Sequence, residues 1–139
     1  MGRINYGRMI LGGVLAFIAI FFAGFLFHGI ILRSHYVYFQ KAGVVLAQPR
    51  EMGWVVHIVG HLVSGLVISM AYVVARKFWS PGPMTAIRVG LIVALFTAGQ
   101  NAGEYFLYNL GAMVPAMTFL DNMVGAVLGA LVAGIVYKD

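Results

Sequence analysis

GWVVHIVGHLVSGLVISMAYVVA, residues 53–75, runs without a single charged side chain and closes on Arg76-Lys77-Phe78-Trp79. At about 1.5 Å rise per residue, a helix of this length crosses the ~30 Å hydrocarbon core of a bilayer. Its basic and aromatic end suits the membrane–water interface. Two histidines interrupt the run. His57 and His61 are four residues apart, so they lie one above the other on one helix face. The stretch therefore predicts a transmembrane helix that carries a pair of imidazoles.

The rest of the chain has the same character. Of its 139 residues 62% are hydrophobic and only 9% are charged. Mean hydropathy is +0.94. A soluble domain of this size could not cover its surface with so few polar groups, which makes this an integral membrane protein. There is no cysteine, and this excludes disulfides, thiolate ligands and covalent haem attachment. The net charge of +5 does not point to nucleic acid, because the nine Lys and Arg sit at the ends of apolar runs.

Outward from residues 53–75, three further runs of spanning length predict helices over about 9–32, 85–110 and 116–137. The first is longer than a signal-peptide core and no small-x-small cleavage site follows it, so it is expected to be retained. Ser80-Pro81-Gly82-Pro83 reads as a turn, and Gly111 with Pro115 marks the last break. Residues 33–52 form the one long connection. Tyr36, Tyr38, Phe39 and Val44-Val45-Leu46 make it too apolar for a free loop and predict an interfacial segment. The expected fold is an all-α, four-helix up-down membrane bundle in a single domain, 1–139. Six cations (Arg3, Arg8, Arg76, Lys77, Arg88, Lys138) fall on one side of this scheme and three (Arg33, Lys41, Arg50) on the other. The positive-inside rule then places both termini in the cytoplasm of an inner-membrane protein and the 33–52 connection outside.

Ionisable residues at membrane depth mark functional sites. His28, His57, His61, Glu104 and Asp121 all fall within apolar runs. Up-down connectivity places each of them roughly 6–15 Å in from the same, outer boundary. Helical spacing links Thr97, Asn101, Glu104 and Tyr108 into one stripe, and His57, His61 and Ser64 into another. Asp121 shares a face with Gly125, Gly129 and Ala133, and Gly12, Ala16, Ala19 and Ala23 repeat in the same way on the first helix. Such small-residue faces let helix backbones approach closely in lipid.

Three imidazoles and two carboxylates are a ligand set for zinc or non-haem iron. The expected metal ligands are His28, His57, His61, Glu104 and Asp121, with Gln100, Asn101, Asn122 and Ser64 around them. A metal so held would activate water, with Glu104 as the base. Haem fits less well, since its ligation has no use for two nearby acids. His35, beyond Arg33, belongs to the interface. A proton or cation transporter working as a homo-oligomer is the second reading, and an accessory subunit of a larger membrane complex, with the polar groups as structural glue, is the third. No nucleophile motif, phosphate loop or cofactor fingerprint names a substrate.

Gly24-Phe25-Leu26-Phe27-His28-Gly29 at the exit of the first helix, and the glycine-rich last helix ending Gly134-Ile135-Val136-Tyr137-Lys138, resemble small four-helix bacterial membrane proteins of unknown function. The resemblance implies four spans over nearly the whole chain. It implies no activity or site residues.

Overall fold

The computed structural model describes residues 4–46, 51–107 and 110–137, with the side chains of 100, 101 and 104–107 left out. Every regular element in it is helical: α1 (Tyr6–Gly24), a π-helical segment (Phe25–Ile31), α2 (Arg33–Lys41), α3 (Gly53–Trp79), α4 (Pro83–Leu107) and α5 (Met113–Val136). Three helical stretches are long and apolar enough to cross a membrane: Tyr6–Ile31, Gly53–Trp79 and Met113–Val136. A shorter apolar helix, Pro83–Gly99, accompanies them. The helix ends fall within a few residues of those expected from hydropathy.

Local chemistry sets these ends. The Asn5 side chain caps α1 by accepting the Arg8 amide at 3.1 Å. The 80–83 turn uses Ser80 at φ 68° and Gly82 at φ 146°. Pro83 then opens α4, where a missing N–H costs nothing. Thr85 Oγ1 ties the turn down by donating to the Ser80 carbonyl at 2.7 Å. Arg33–Lys41, the first part of the long connection, is helical, as its apolar content suggested.

α5 packs along both α1 and α4, while α3 lies mainly on α1. Small residues set these approaches, as their spacing indicated. A Cβ at Gly90 would stand 2.5 Å from Val127 Cα, and one at Gly65 would strike the Gly13 carbonyl and the Phe17 backbone. Gly125 and Gly129 leave room for Ile20, Ala16 and Ala23 of α1. Backbones this close gain dispersion contacts that bulkier residues would prevent.

Burial is uneven along the molecule. In α3 the second half buries Gly65, Ile68, Ser69, Tyr72, Val73 and Arg76. No residue of its first half, 53–64, is buried. The main apolar cluster accordingly joins Ile68, Tyr72 and Val73 to Ala86, Val89, Ala126 and Ala130, at the α3–α4 turn end.

Candidate functional site

At the other end the backbone of the first span departs from α geometry. The Leu32 N–H reaches back five residues to the Phe27 carbonyl at 2.8 Å, the bond of a π-turn. A π-turn holds more residues than an α-turn, so it changes which side chains share a face. Its residues include His28. Segments of this kind recur at functional sites.

His28 has a partner on each side of its ring. Nε2 lies 3.2 Å from Asp121 Oδ2 on α5. Nδ1 lies 2.7 Å from the hydroxyl of Tyr36 on α2. An ionised carboxylate only accepts, so Nε2 carries the proton, and the Nδ1 of a neutral ring accepts from Tyr36 O–H. Asp121 is 9% exposed and is the one buried acid among the described residues. Tyr36, His28 and Asp121 thus form one hydrogen-bonded line across α2, the π-helical segment and α5.

His61 approaches the end of this line. Its Nδ1 lies 2.9 Å from the His57 carbonyl, one turn back, and must donate because a carbonyl has no proton. Its Nε2 is therefore the acceptor of the neutral ring. A Cβ placed at Gly24 would lie 3.8 Å from both His61 Nε2 and Asp121 Oδ2. The two atoms face each other above the Gly24 backbone, no more than twice that distance apart. His57 lies against His61 with ring centroids 4.2 Å apart and planes tilted by 52°, and stands edge-on to Trp54 and Phe21. It is close enough to interact electrostatically with His28 and Asp121 as well.

Four of the five expected ligands, His28, His57, His61 and Asp121, are thus brought near one another at one end of the molecule. Glu104, with Gln100 and Asn101, is on α4, and their side chains lie outside the described residues. The arrangement differs from a metal cage. Among the described residues no three His, Cys, Asp or Glu side chains converge as a ligand set. The physical reason is visible at two of the imidazoles. Both nitrogens of His28 are already engaged, and His57 is exposed rather than turned inward. Ser64 is also exposed and returns its hydroxyl to the Gly60 carbonyl at 2.9 Å, outside the cluster. Asn122 is half-buried and makes no side-chain hydrogen bond among the described residues.

Tyr36 and Gly24 are the participants that the residue pattern did not single out. Tyr36 follows His28 by eight residues, about two helical turns, and that spacing was the available signal. Gly24 matters through the side chain it lacks. His35 sits half-buried with its Nδ1 unbonded, beside the line rather than in it.

No protein-family model, curated protein or solved structure matches the chain.

Proposed function

We propose that the chain is a four-helix, multi-pass membrane protein that relays protons, or a cation coupled to them, through Tyr36, His28, Asp121 and His61. The observation that supports this most is the unbroken hydrogen-bonded line from Tyr36 through both nitrogens of His28 to buried Asp121. Imidazole can take a proton at one nitrogen and release one from the other, which makes it a shuttle rather than an end point. In the proposed sequence His28 Nδ1 receives a proton and Nε2 passes its own to the Asp121 carboxylate. Asp121 then gives a proton to His61 Nε2 through water, and His61 releases it from that same nitrogen, since its Nδ1–H is held by the His57 carbonyl. Chains of Asp, Glu and His inside a bundle are a recurring form of membrane proton pathway.

In this reading the His28 end faces outward and both termini are cytoplasmic, as the distribution of cations indicates. Tyr36, on the connection expected outside, then gives the relay its outer opening. Four helices are few for a carrier, so the working unit is a homo-oligomer in the bilayer.

A second reading keeps a divalent zinc or iron ion. It is favoured by His61, whose committed Nδ1–H leaves the Nε2 lone pair to bind a metal near the Asp121 carboxylate. Glu104 would have to complete such a site.

One set of proteins distinguishes the two. Wild type in liposomes loaded with a pH-sensitive dye should dissipate an imposed pH gradient. Asp121→Asn and His28→Ala should slow this at least about tenfold, as loss of a positioned proton carrier does. Flux no faster than in empty liposomes would sink the relay. Stoichiometric zinc or iron in gently purified wild type, lost from His61→Ala, would put the metal reading in its place.

A further inference from the structure

A second buried ionisable group lies at the opposite end of the molecule, and the relay makes no use of it. Arg76, in the last turn of α3, is 9% exposed. Its Nη1 donates to the Tyr137 carbonyl at 2.8 Å, and its guanidinium lies 5.0 Å from the centre of the Tyr137 ring. These contacts orient the group at the C-terminal end of α5, where backbone carbonyls have no helical partner.

Arg76 also lines a cavity of about 420 Å³ between the ends of α3, α4 and α5. Tyr72, Ala86, Leu131, Ile135 and Tyr137 are among the residues of its wall. The Tyr72 hydroxyl accepts the Gly82 amide at 3.2 Å, so its own proton points onward as a donor. The cavity thus combines a largely apolar surface with a guanidinium and a phenol.

Its depth can be placed. α3 has 27 residues, about 40 Å of helix against a hydrocarbon core of ~30 Å. Its final turn, with Arg76 and Lys77, therefore reaches headgroup level. Lys77 and Arg88 are exposed at the same end, with Arg88 stacked 5.8 Å from the Trp79 ring. Basic pockets between membrane helices at this level suit anionic lipid headgroups.

We propose that this cavity is a binding site for one anionic phospholipid of the bilayer. The phosphodiester meets the Arg76 guanidinium and the Tyr72 hydroxyl, and the start of an acyl chain lies along Leu131 and Ile135. A planar guanidinium fork suits phosphate oxygens. The volume suits part of a lipid but not a partner helix, which is about 10–12 Å across with its side chains. Such a lipid would brace the α3–α4 turn against the end of α5.

The test uses the intact chain in nonionic detergent, with phosphatidylglycerol and phosphatidylcholine as probes. Native mass spectrometry should show about tenfold preferential retention of one phosphatidylglycerol, the scale of one charge-assisted phosphate contact. Arg76→Gln should remove the preference. Ile135→Trp should weaken retention of phosphatidylglycerol by narrowing the cavity. Ile135 is 66% exposed, so this variant should melt like wild type without lipid, and it decides the matter if Arg76→Gln does not fold. Equal retention of the two lipids by wild type would overturn the proposal. So would phosphatidylglycerol retained by Ile135→Trp as by wild type, or inorganic phosphate raising the melting temperature as much as the lipid does. Asp121→Asn should bind phosphatidylglycerol normally, so failure of the relay and failure of this site are separate results.

Discussion

The two ends of the molecule bury ionisable groups in opposite ways. At the Arg76 end, where the apolar cluster of Ile68, Tyr72, Val73 and Ala130 lies, a permanent cation donates to a helix-end carbonyl. At the His28 end, groups that can change charge are joined side chain to side chain, on a π-helical backbone, beside a half of α3 that buries nothing. A fixed charge suits a rigid setting because it never needs a new partner. A proton carrier must exchange partners, which favours an open and less regular region. Local stability in proteins is uneven in this sense, and functional segments are drawn from its low end. On the proposed relay, the hold on the fold belongs to one end and the chemistry to the other.

Glycines five residues apart on α3 offer the largest test of that contrast. Gly65→Leu puts a side chain onto the Gly13 carbonyl and the Phe17 backbone, and should cost about 3 kcal/mol or more, enough to prevent recovery of folded protein. Gly60→Leu meets nothing within 4 Å and should leave the thermal melt nearly unchanged. Equal losses would show that the His57 side of α3 is packed after all.

Next in size is Arg76→Leu, which deprives the Tyr137 carbonyl of its donor. It should lower stability by about 1–3 kcal/mol in denaturant or thermal unfolding. Asp121→Asn should do the reverse. The amide keeps an oxygen to accept from His28, so stability should change by less than about 1 kcal/mol, while proton flux is lost. If Asp121→Asn unfolded the protein as readily as Arg76→Leu, the His28 end would be structural glue as well.

Tyr36→Phe should have the smallest effect. It removes one half-buried hydrogen bond, worth about 0.5–1.5 kcal/mol, and should slow flux without abolishing it, since His28 and Asp121 remain bonded. Flux unchanged in Tyr36→Phe would shorten the relay to His28, Asp121 and His61.

Much of this architecture was legible before any coordinates. The runs at 9–32, 53–75, 85–110 and 116–137 became helices because a backbone in an apolar environment must bond to itself, and a helix does so locally. The Gly125–Gly129–Ala133 stripe packed as its spacing required, since every fourth residue returns to the same face. The expectation of converging metal ligands on α3 fared differently. His57 and Ser64 share a stripe with His61 and Ile68, yet only Ile68 among these four is buried, because α3 leaves the rest of the molecule along its first half. Periodicity says which residues share a face, not how far the neighbouring helix follows it.

Hydropathy, helical period and the turn at 80–83 were enough for an all-α chain with helices long and apolar enough to span a membrane, and for the helices that carry His28, His57, His61 and Asp121. These follow from local bonding and from transfer between water and lipid, which need no partner helix. The pairing of His28 with both Tyr36 and Asp121, the convergence of His61 and Asp121 over Gly24, and the burial of Arg76 against Tyr137 were decided by the tertiary structure. Each depends on where helices cross and on one stretch of five-residue bonding. Contacts between residues as far apart in the chain as 28 and 121 are set by the packing of whole helices, which no local pattern contains.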